Sequence, residues 1–443
     1  MITEDLHVLH NFCKGCGTCE GICPQGAIKL QRKENGQYFP YIEETLCQKC
    51  GLCYTSCPAW PFDPDGILYK SIKSATADQL IGPFINAYSG FAKDDNLRIS
   101  CSSGGIATAL LIHQLKTGKI DTALVVHLDK NNPFAEPNII LAKSVDEIKA
   151  AAGSKYLPVA LNTIIKQIID RNDITQVGIV GLPCHIEGLK KACSINKKLQ
   201  KKIAFSIGLF CRQTKELGFT RLLLSRLGVE DSQIDSFSYR GAGWPGYVCA
   251  KLKDGTERKC LFFDQGFLFL WLLQSFTPMP CMLCCDPIAE FADISIGDAW
   301  LEEFADDKEG MSLIITRTLK GNRIIEMAVT SDILSLQKIE QKKIIKSQQK
   351  RALMRKKINY RSKLTALKPS DYKKIKKQFS QKLDIRGILA LRWIMMARNL
   401  SSSRLFAGFF SKIPKTFFDR LKKGVQMRKA IRATFRNKNT TAS

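Results

Sequence analysis

Long apolar runs are missing from this chain. No uncharged apolar stretch reaches the ~18–20 residues that span a bilayer. Candidates such as Gly266–Leu273 and Gly387–Leu391 are far shorter. The opening residues MITEDLHVLHNF lack a basic start followed by an apolar segment, so no export leader is expected. The expected location is therefore cytoplasmic. Histidine is scarce too, five in 443 residues, with no H-E-x-x-H pair. That argues against a histidine-based zinc hydrolase.

Acidic residues nearly vanish late in the sequence. From residue 341 onward, 30 Lys and Arg stand against Asp371, Asp384 and Asp419, a net of +27. Residues 1–340 hold the other 37 Lys and Arg and 38 acids, a net of −1. The excess charge thus belongs to an appendage.

Cysteine is what the chain has in plenty, 17 in all. Thiols in a reducing compartment stay reduced, and grouped cysteines there bind metal more often than they form disulfides. The length allows two or three domains. Residues 1–65 are cysteine-rich and internally repeated, and 66–82 read as a linker with Pro and Gly. Residues 83–330 alternate β-rich runs such as DTALVVHL (121–128), TQVGIVGL (175–182) and KIAFSIGLF (202–210) with helical patterns. This alternation predicts an α/β domain, with an N-terminal part to about 160 and a C-terminal part from about 161. Residues 331–443 are basic, poor in Gly and helical in propensity. The expected fold class is α+β and α/β multidomain. A small bacterial-type double-cluster ferredoxin fold comes first, then the α/β domain, then a basic helical extension.

Cys13, Cys16, Cys19 and Cys23 follow C-x2-C-x2-C-x3-C with Pro24 next. Cys47, Cys50, Cys53 and Cys57 repeat it 34 positions on, before Pro58. A [4Fe–4S] cube needs four converging thiolates, and in two-cluster ferredoxins the cysteine before Pro ligates the other cube. The expected ligand sets are Cys13, Cys16, Cys19 and Cys57, and Cys47, Cys50, Cys53 and Cys23. Gly15, Gly17 and Gly51 suit loops that bend around a cube. Zinc ribbons use two C-x2-C pairs and need neither the third cysteine nor the one before Pro.

Further along stand SCSSGGIATALL (100–111), AAGSKY (151–156), VGLPCHIEGLKK (180–191), IGLFC (207–211), SFSYRGAGW (236–244) and PCMLCCDPIAEFADISIGDAW (280–300). In this order, behind a double ferredoxin, they resemble the family of coenzyme F420 hydrogenase/dehydrogenase beta subunits over about residues 5–330. The resemblance implies an FAD-dependent iron–sulfur oxidoreductase fold. Some members reduce a deazaflavin, and a related plant enzyme reduces a chlorophyll side chain. For Ser102, Ser103, Gly104 and Gly105 the residues alone suggest an ordinary helix cap, while the resemblance suggests the FAD pyrophosphate on a helix N-terminus. Ser154 and Lys155 are candidate flavin contacts against a plain-loop reading. Arg240 and Trp244 are candidates for flavin or substrate against a strand–turn reading, and Asp298 for a turn or a flavin role.

Cys184 follows a predicted strand and opens a helix, which favours thiolate. Cys211 ends another strand, and Cys281 and Cys284 form a C-x2-C pair. The four are candidate ligands of a third [4Fe–4S] cluster, against the reading of Cys184 and Cys211 as small buried apolar residues. Cys285 is a spare neighbour. Cys101, Cys193, Cys249 and Cys260 read as packing or surface thiols, and FLFLWLL (267–273) as a core helix. Two departures stand out. Family members commonly carry Gln where this chain has His185, and His-Gly where it has Arg212-Gln213.

The basic tail interleaves cations with apolar and aromatic patches, as in RGILALRWIMMAR and RLFAGFFSKIPKTFF. That pattern suits a helix on the anionic inner face of a membrane or a helical extension packing one face on the body. Docking to an acidic redox partner is a further reading. Nucleic acid ranks lower, because no nucleic-acid motif accompanies the charge. The expected function is an oxidoreductase moving electrons between [4Fe–4S] clusters and FAD, with a redox partner or ferredoxin-like donor. Its substrate is an organic molecule or a deazaflavin-type cofactor. The alternatives are an electron-transfer subunit serving a separate catalytic partner and a scaffold that keeps clusters structurally.

Overall fold

A computed structural model describes residues 12–59, residues 80–350 except 263, 265, 266 and 283, residues 352 and 353, and residues 393, 396–413, 416 and 417. The expected linker up to residue 79 and most of the basic tail lie outside the described residues.

The first unit is a small module. β1 (Ile28–Arg32) and β2 (Tyr38–Ile42) pair antiparallel, with Leu30 opposite Pro40. Each cysteine run carries one short helix, Thr18–Ile22 and Leu52–Thr55. Each is entered through a left-handed glycine, Gly17 at φ 87° and Gly51 at φ 77°. Side chains resist that backbone, so glycine lets each loop fold back before its helix.

The main sheet has eight strands. In chain order come β3 (Asn86–Ala92), β4 (Thr122–His127), β5 (Asn138–Ala142), β6 (Val177–Gly181) and β7 (Ile203–Leu209). A separate antiparallel meander follows, of β8 (Ile234–Gly241), β9 (Tyr247–Leu252) and β10 (Glu257–Leu261). The chain then returns with β11 (Ile294–Asp298), β12 (Ser312–Thr316) and β13 (Leu334–Lys338). The large sheet has the order β13-β3-β12-β11-β7-β6-β4-β5. β4, β6, β7 and β11 are parallel neighbours, while β5, β12 and β13 are antiparallel to theirs. The three β-rich runs singled out in the sequence are β4, β6 and β7. The sheet also continues past residue 330, because β13 pairs with β3. Its Leu334 is buried and Lys338 exposed, so a strand stands where composition suggested a helical tail.

Both faces of the sheet are covered, which is why its strands read as continuous apolar runs. Neighbouring residues serve opposite faces. Ala123 and Val125 pack with the helices Ile106–Lys116 and Leu319–Thr330, whereas Leu124 packs with Ile165–Asp170 and Pro183–Ile195. Ile314 likewise faces the first layer, and Leu313 and Ile315 the other. Truncating a fully buried residue such as Ile314 to Ala costs about 2–5 kcal/mol.

The module is seated on the second layer. The Asn162 backbone N–H donates to the Cys16 carbonyl at 2.9 Å. Its side-chain amide donates to Thr18 Oγ1 and to the His185 carbonyl, each at 2.8 Å. A Cβ on Gly17 would lie 2.6 Å from Thr163 N, and one on Gly21 would overlap the Asn162 carbonyl. Alanine normally gains ~0.5–1 kcal/mol over glycine inside a helix. At Gly21 that overlap reverses the sign.

The meander packs with the helix Leu217–Leu227 into its own core, which includes Phe267 and Leu270 of the FLFLWLL run. Among the described tail residues, the helix Arg404–Lys412 adds Phe410 to this core, 1% exposed. Arg226 donates to the carbonyls of Phe410 and Ile413 at 3.2 and 2.6 Å.

Candidate functional site

The module sorts its eight cysteines into two groups. Cys13, Cys19 and Cys57 each feel the charge of Cys16, and Cys13 and Cys19 that of Cys57. Burial pushes Cys13 up to about 12 and Cys57 up to about 11, with the neighbouring thiols adding to it. Cys53 feels Cys50, Cys23 and Cys47, and it too is raised, first by burial. The grouping is the crossed one: Cys57 sits with the first run and Cys23 with the second. Cys16 is buried, while Cys50 is exposed.

A charged cluster that sequence reasoning missed lies against the inner group. Lys14 Nζ donates to the Pro58 carbonyl at 2.9 Å and pairs with Glu187 Oε2 at 3.3 Å. Lys191 Nζ donates to the Cys57 carbonyl at 2.9 Å and pairs with Glu187 at 3.5 Å. All three side chains are under a tenth exposed. The i,i+4 spacing of Glu187 and Lys191 was legible, but not their burial.

A third set of cysteines gathers at the sheet. β3, β4, β6, β7 and β11 all end on one edge, the edge where α/β sheets bind ligands. Cys184 lies just beyond β6, at the start of the helix Pro183–Ile195, and Cys211 just beyond β7. Burial raises Cys184, which feels Lys14 and Cys16 of the module and also Cys211 and Cys284. Cys184 thus lies within electrostatic reach of Cys211, Cys284 and the inner module group. Cys281 faces Lys215, a lysine that sequence reasoning missed because nothing in its context marks it as buried. Lys215 donates to the Ser275 carbonyl at 2.8 Å and to Thr277 Oγ1 at 3.1 Å, and burial lowers it to about 7. Among the described residues no three His, Cys, Asp or Glu side chains close on one point as the ligands of a single ion do. Thiolates on a cube bind separate irons and need no such point.

The same edge holds the Ser-Ser-Gly-Gly loop. Ser103 Oγ donates to the Met311 carbonyl at 3.1 Å, and Ser102 Oγ accepts from the Ser154 N–H at 2.8 Å. Both hydroxyls are therefore committed to the loop. The helix Ile106–Lys116 begins at Gly105, φ 71°, with no side-chain cap. Its first N–H groups thus receive no side-chain acceptor from the cap residue. Beside them the backbone is open. A Cβ on Gly153 would meet nothing nearer than the Arg240 carbonyl at 3.9 Å, and one on Gly241 nothing within 4 Å. Lys155 turns away to the carbonyls of Ala151, Ala152 and Gly153, and burial lowers it to about 8.

Arg240 closes the edge. Its guanidinium meets both Asp298 oxygens, at 2.8 and 2.9 Å, and lies over the Trp300 ring at 5.5 Å. Burial works against its charge, but Asp298 outweighs this and raises it. Trp244 donates to Asp298 at 3.3 Å and packs on Trp300 with ring centroids 4.7 Å apart.

Residues 87–166 match the N-terminal model of the coenzyme F420 hydrogenase/dehydrogenase beta subunit, and residues 174–342 match its C-terminal model. The chain belongs to this family. Residues 12–59 match a 4Fe-4S dicluster domain, so the module is an iron–sulfur domain. The chain is 27% identical to a coenzyme F420-dependent sulfite reductase of Methanocaldococcus jannaschii, over 75% of this chain and 48% of that protein. It thus spans about half the length of that relative. It is 22% identical to an F(420)H(2) dehydrogenase subunit of Methanosarcina mazei, over 72% of this chain and 83% of that one. Identity to the coenzyme F420 hydrogenase subunit beta of Methanothermobacter thermautotrophicus is 26%, over 60% and 88%. A chain of the F420-reducing [NiFe] hydrogenase complex from Methanosarcina barkeri shares the fold, with a TM-score of 0.52 at 21% identity over 63% of this chain and 92% of that one.

The two departures from the family pattern now have a physical setting. His185 accepts from the Leu182 N–H at Nδ1, 3.2 Å, and its Nε2 lies 3.0 Å from the Val159 carbonyl. Burial lowers it to about 4, so the neutral ring carries its proton on Nε2. It offers one acceptor and one donor, as the glutamine amide does. Arg212 donates to the Gln348 carbonyl at 2.7 Å, which ties the β7 loop to the segment after β13.

Proposed function

We propose that this chain is an FAD-containing iron–sulfur oxidoreductase, reducing or oxidising an organic molecule or a deazaflavin-type cofactor. The observation that carries this reading is the position of Cys184. It feels Cys16 of the module on one side and Cys211 and Cys284 on the other, on the edge where the uncapped helix starts. Cys50 is exposed; Cys53 feels Cys50, Cys19 feels Cys53 and Cys16, and Cys184 feels Cys16.

The residues fit the groups they would hold. Cys13, Cys16, Cys19 and Cys57 would bind one [4Fe–4S] cluster, and Cys47, Cys50, Cys53 and Cys23 another. Cys184, Cys211, Cys281 and Cys284 would bind a third. Lys14 and Lys191 put buried cations beside the inner set, where a thiolate-ligated cluster brings negative charge. FAD, when bound, would supply the exchange between hydride pairs and single electrons. The N–H groups that open the helix after Gly105 would hold its pyrophosphate, with Gly104 and Gly105 shaping the approach, Ser102, Ser103 and Ser154 fixing the loop and Asp298 holding Arg240 in place. Lys155 is spent on carbonyls and would act as a fixed positive charge behind the loop.

The test is stopped-flow reduction of the oxygen-free protein by a low-potential donor, with Cys184→Ala beside the native chain. Bleaching of bound flavin should slow sharply in the variant while the module clusters reduce normally. Equal rates would remove Cys184 from the route. A second reading, an electron-transfer subunit, is favoured by the names of two relatives, which are subunits. A stoichiometric partner recovered with the native protein, and no turnover without it, would select that reading.

A further inference from the structure

The large apolar side chains that face solvent are not spread over the surface. Among the described residues, six of the twelve lie between 393 and 417: Trp393, Met396, Leu400, Leu405, Phe409 and Phe417. Leu405 is 88% exposed and Phe409 68%. They are four apart on the helix Arg404–Lys412 and so share a face. Met396 and Leu400, four apart in the described helical stretch 396–401, share another face, and Trp393 stands three positions before Met396 in the sequence.

This segment is nevertheless held to the body. Phe410 is buried in the meander core, and Arg226 holds the helix end. Arg398 pairs with Glu216 at 2.9 Å, and Ser401 and Ser402 accept from Ser275 Oγ and the Phe276 N–H, each at 2.7 Å. One side of the segment is docked, and the side beside it presents aromatic and aliphatic groups to water. Exposed apolar groups gathered in one segment in this way mark an interaction surface.

Charge identifies the occupant. From Trp393 to residue 443 the sequence has 12 Lys and Arg against Asp419 alone. Cations flanking a Trp-, Phe- and Leu-bearing face match an anionic lipid surface, which takes the apolar groups below the headgroups and the cations among them. Among the described residues no helix is long and apolar enough to cross a membrane, so the contact is with the surface. We propose that Leu405, Phe409, Trp393, Met396 and Leu400 form a membrane-surface docking face, fixed to the enzyme body through Phe410 and Arg398. This goes beyond the redox reading and does not depend on it.

The test is co-sedimentation of the full chain, purified without oxygen, with vesicles of phosphatidylcholine and of phosphatidylcholine mixed equally with phosphatidylglycerol. The native chain should pellet with the mixed vesicles, and its tryptophan emission should shift to the blue. Leu405→Asp/Phe409→Asp should weaken partitioning by about tenfold or more, since each buried side chain contributes ~1.5–3 kcal/mol. Leu405→Gln/Phe409→Gln should weaken it without changing the net charge. Trp393→Phe should lose the blue shift. The iron content of each variant checks folding. Three results would overturn the proposal: no binding to the mixed vesicles, equal binding by both double variants and the native chain, or a shift from oligomer to monomer in the variants without lipid binding. The last would make the face a contact between copies.

Discussion

Arg240 and Asp298 meet in a two-pronged ion pair, at 2.8 and 2.9 Å, where β11 reaches the sheet edge. The pair joins the meander to the main sheet, because Arg240 belongs to β8. Arg240 is only 4% exposed, and Asp298 is the largest support of its charge, ahead of Tyr156.

Asp298→Asn keeps the shape and removes the charge. It leaves a buried guanidinium without a counter-ion, a loss of about 3–5 kcal/mol for a buried pair. Asp298 is 20% exposed, which places the expected loss near the lower end. Urea unfolding of the iron-loaded protein without oxygen measures it. A loss under about 1 kcal/mol would mean that solvent already screens the pair.

His185 separates a hydrogen-bonding role from a chemical one. His185→Gln retains an acceptor for the Leu182 N–H and a donor for the Val159 carbonyl, so iron content and stability should stay near native. His185→Ala takes the ring partner from both half-buried backbone groups, which costs up to about 1–3 kcal/mol for each where water does not replace it. Parallel unfolding curves and iron assays test the contrast. Equal losses in the two variants would contradict it.

Lys155 gives stability a pH dependence of definite sign. Burial lowers its ammonium from 10.5 to about 8. Between pH 8 and 10.5 the unfolded chain still holds a proton that the folded one has released. Stability therefore rises with pH across that window, by at most ~1.4 kcal/mol per unit. Below about pH 8 both states are protonated and the penalty is constant. Lys155→Met removes this contribution, so the difference between native and variant stability should change over pH 8–10.5 and be flat below. A difference that stays constant throughout would contradict the burial of the charge.

The sequence reading succeeded where local spacing determines geometry. The two C-x2-C-x2-C-x3-C-P runs marked residues 12–59 as an iron–sulfur domain, and Cys57 acts on Cys13 and Cys19 and feels Cys16. β4, β6 and β7 were legible because strands covered on both faces must be apolar throughout. What escaped was tertiary. Nothing local marks Lys215 or Lys14 as buried, since a lysine is ordinarily a surface residue and only the packing of another segment over it changes that. Arg240 and Asp298 lie 58 positions apart, and nothing local marked the candidate flavin or substrate contact and the candidate turn or flavin residue as partners of one another. Cys281 and Cys284 carried the spacing signal of the third set; Lys215 feels Cys281, while Cys184 feels Cys211 and Cys284. β13 was taken for the start of a helical tail because composition there is dominated by the cations that follow it.

The most direct test of the account is a count of iron, labile sulfide and extracted flavin per chain in protein purified without oxygen. The account predicts about 12 iron, a matching amount of sulfide and ~1 FAD. About 8 iron and no flavin would contradict it. The double-cluster module would stand, but the cysteines and the open helix start at the sheet edge would hold neither a third cluster nor a flavin.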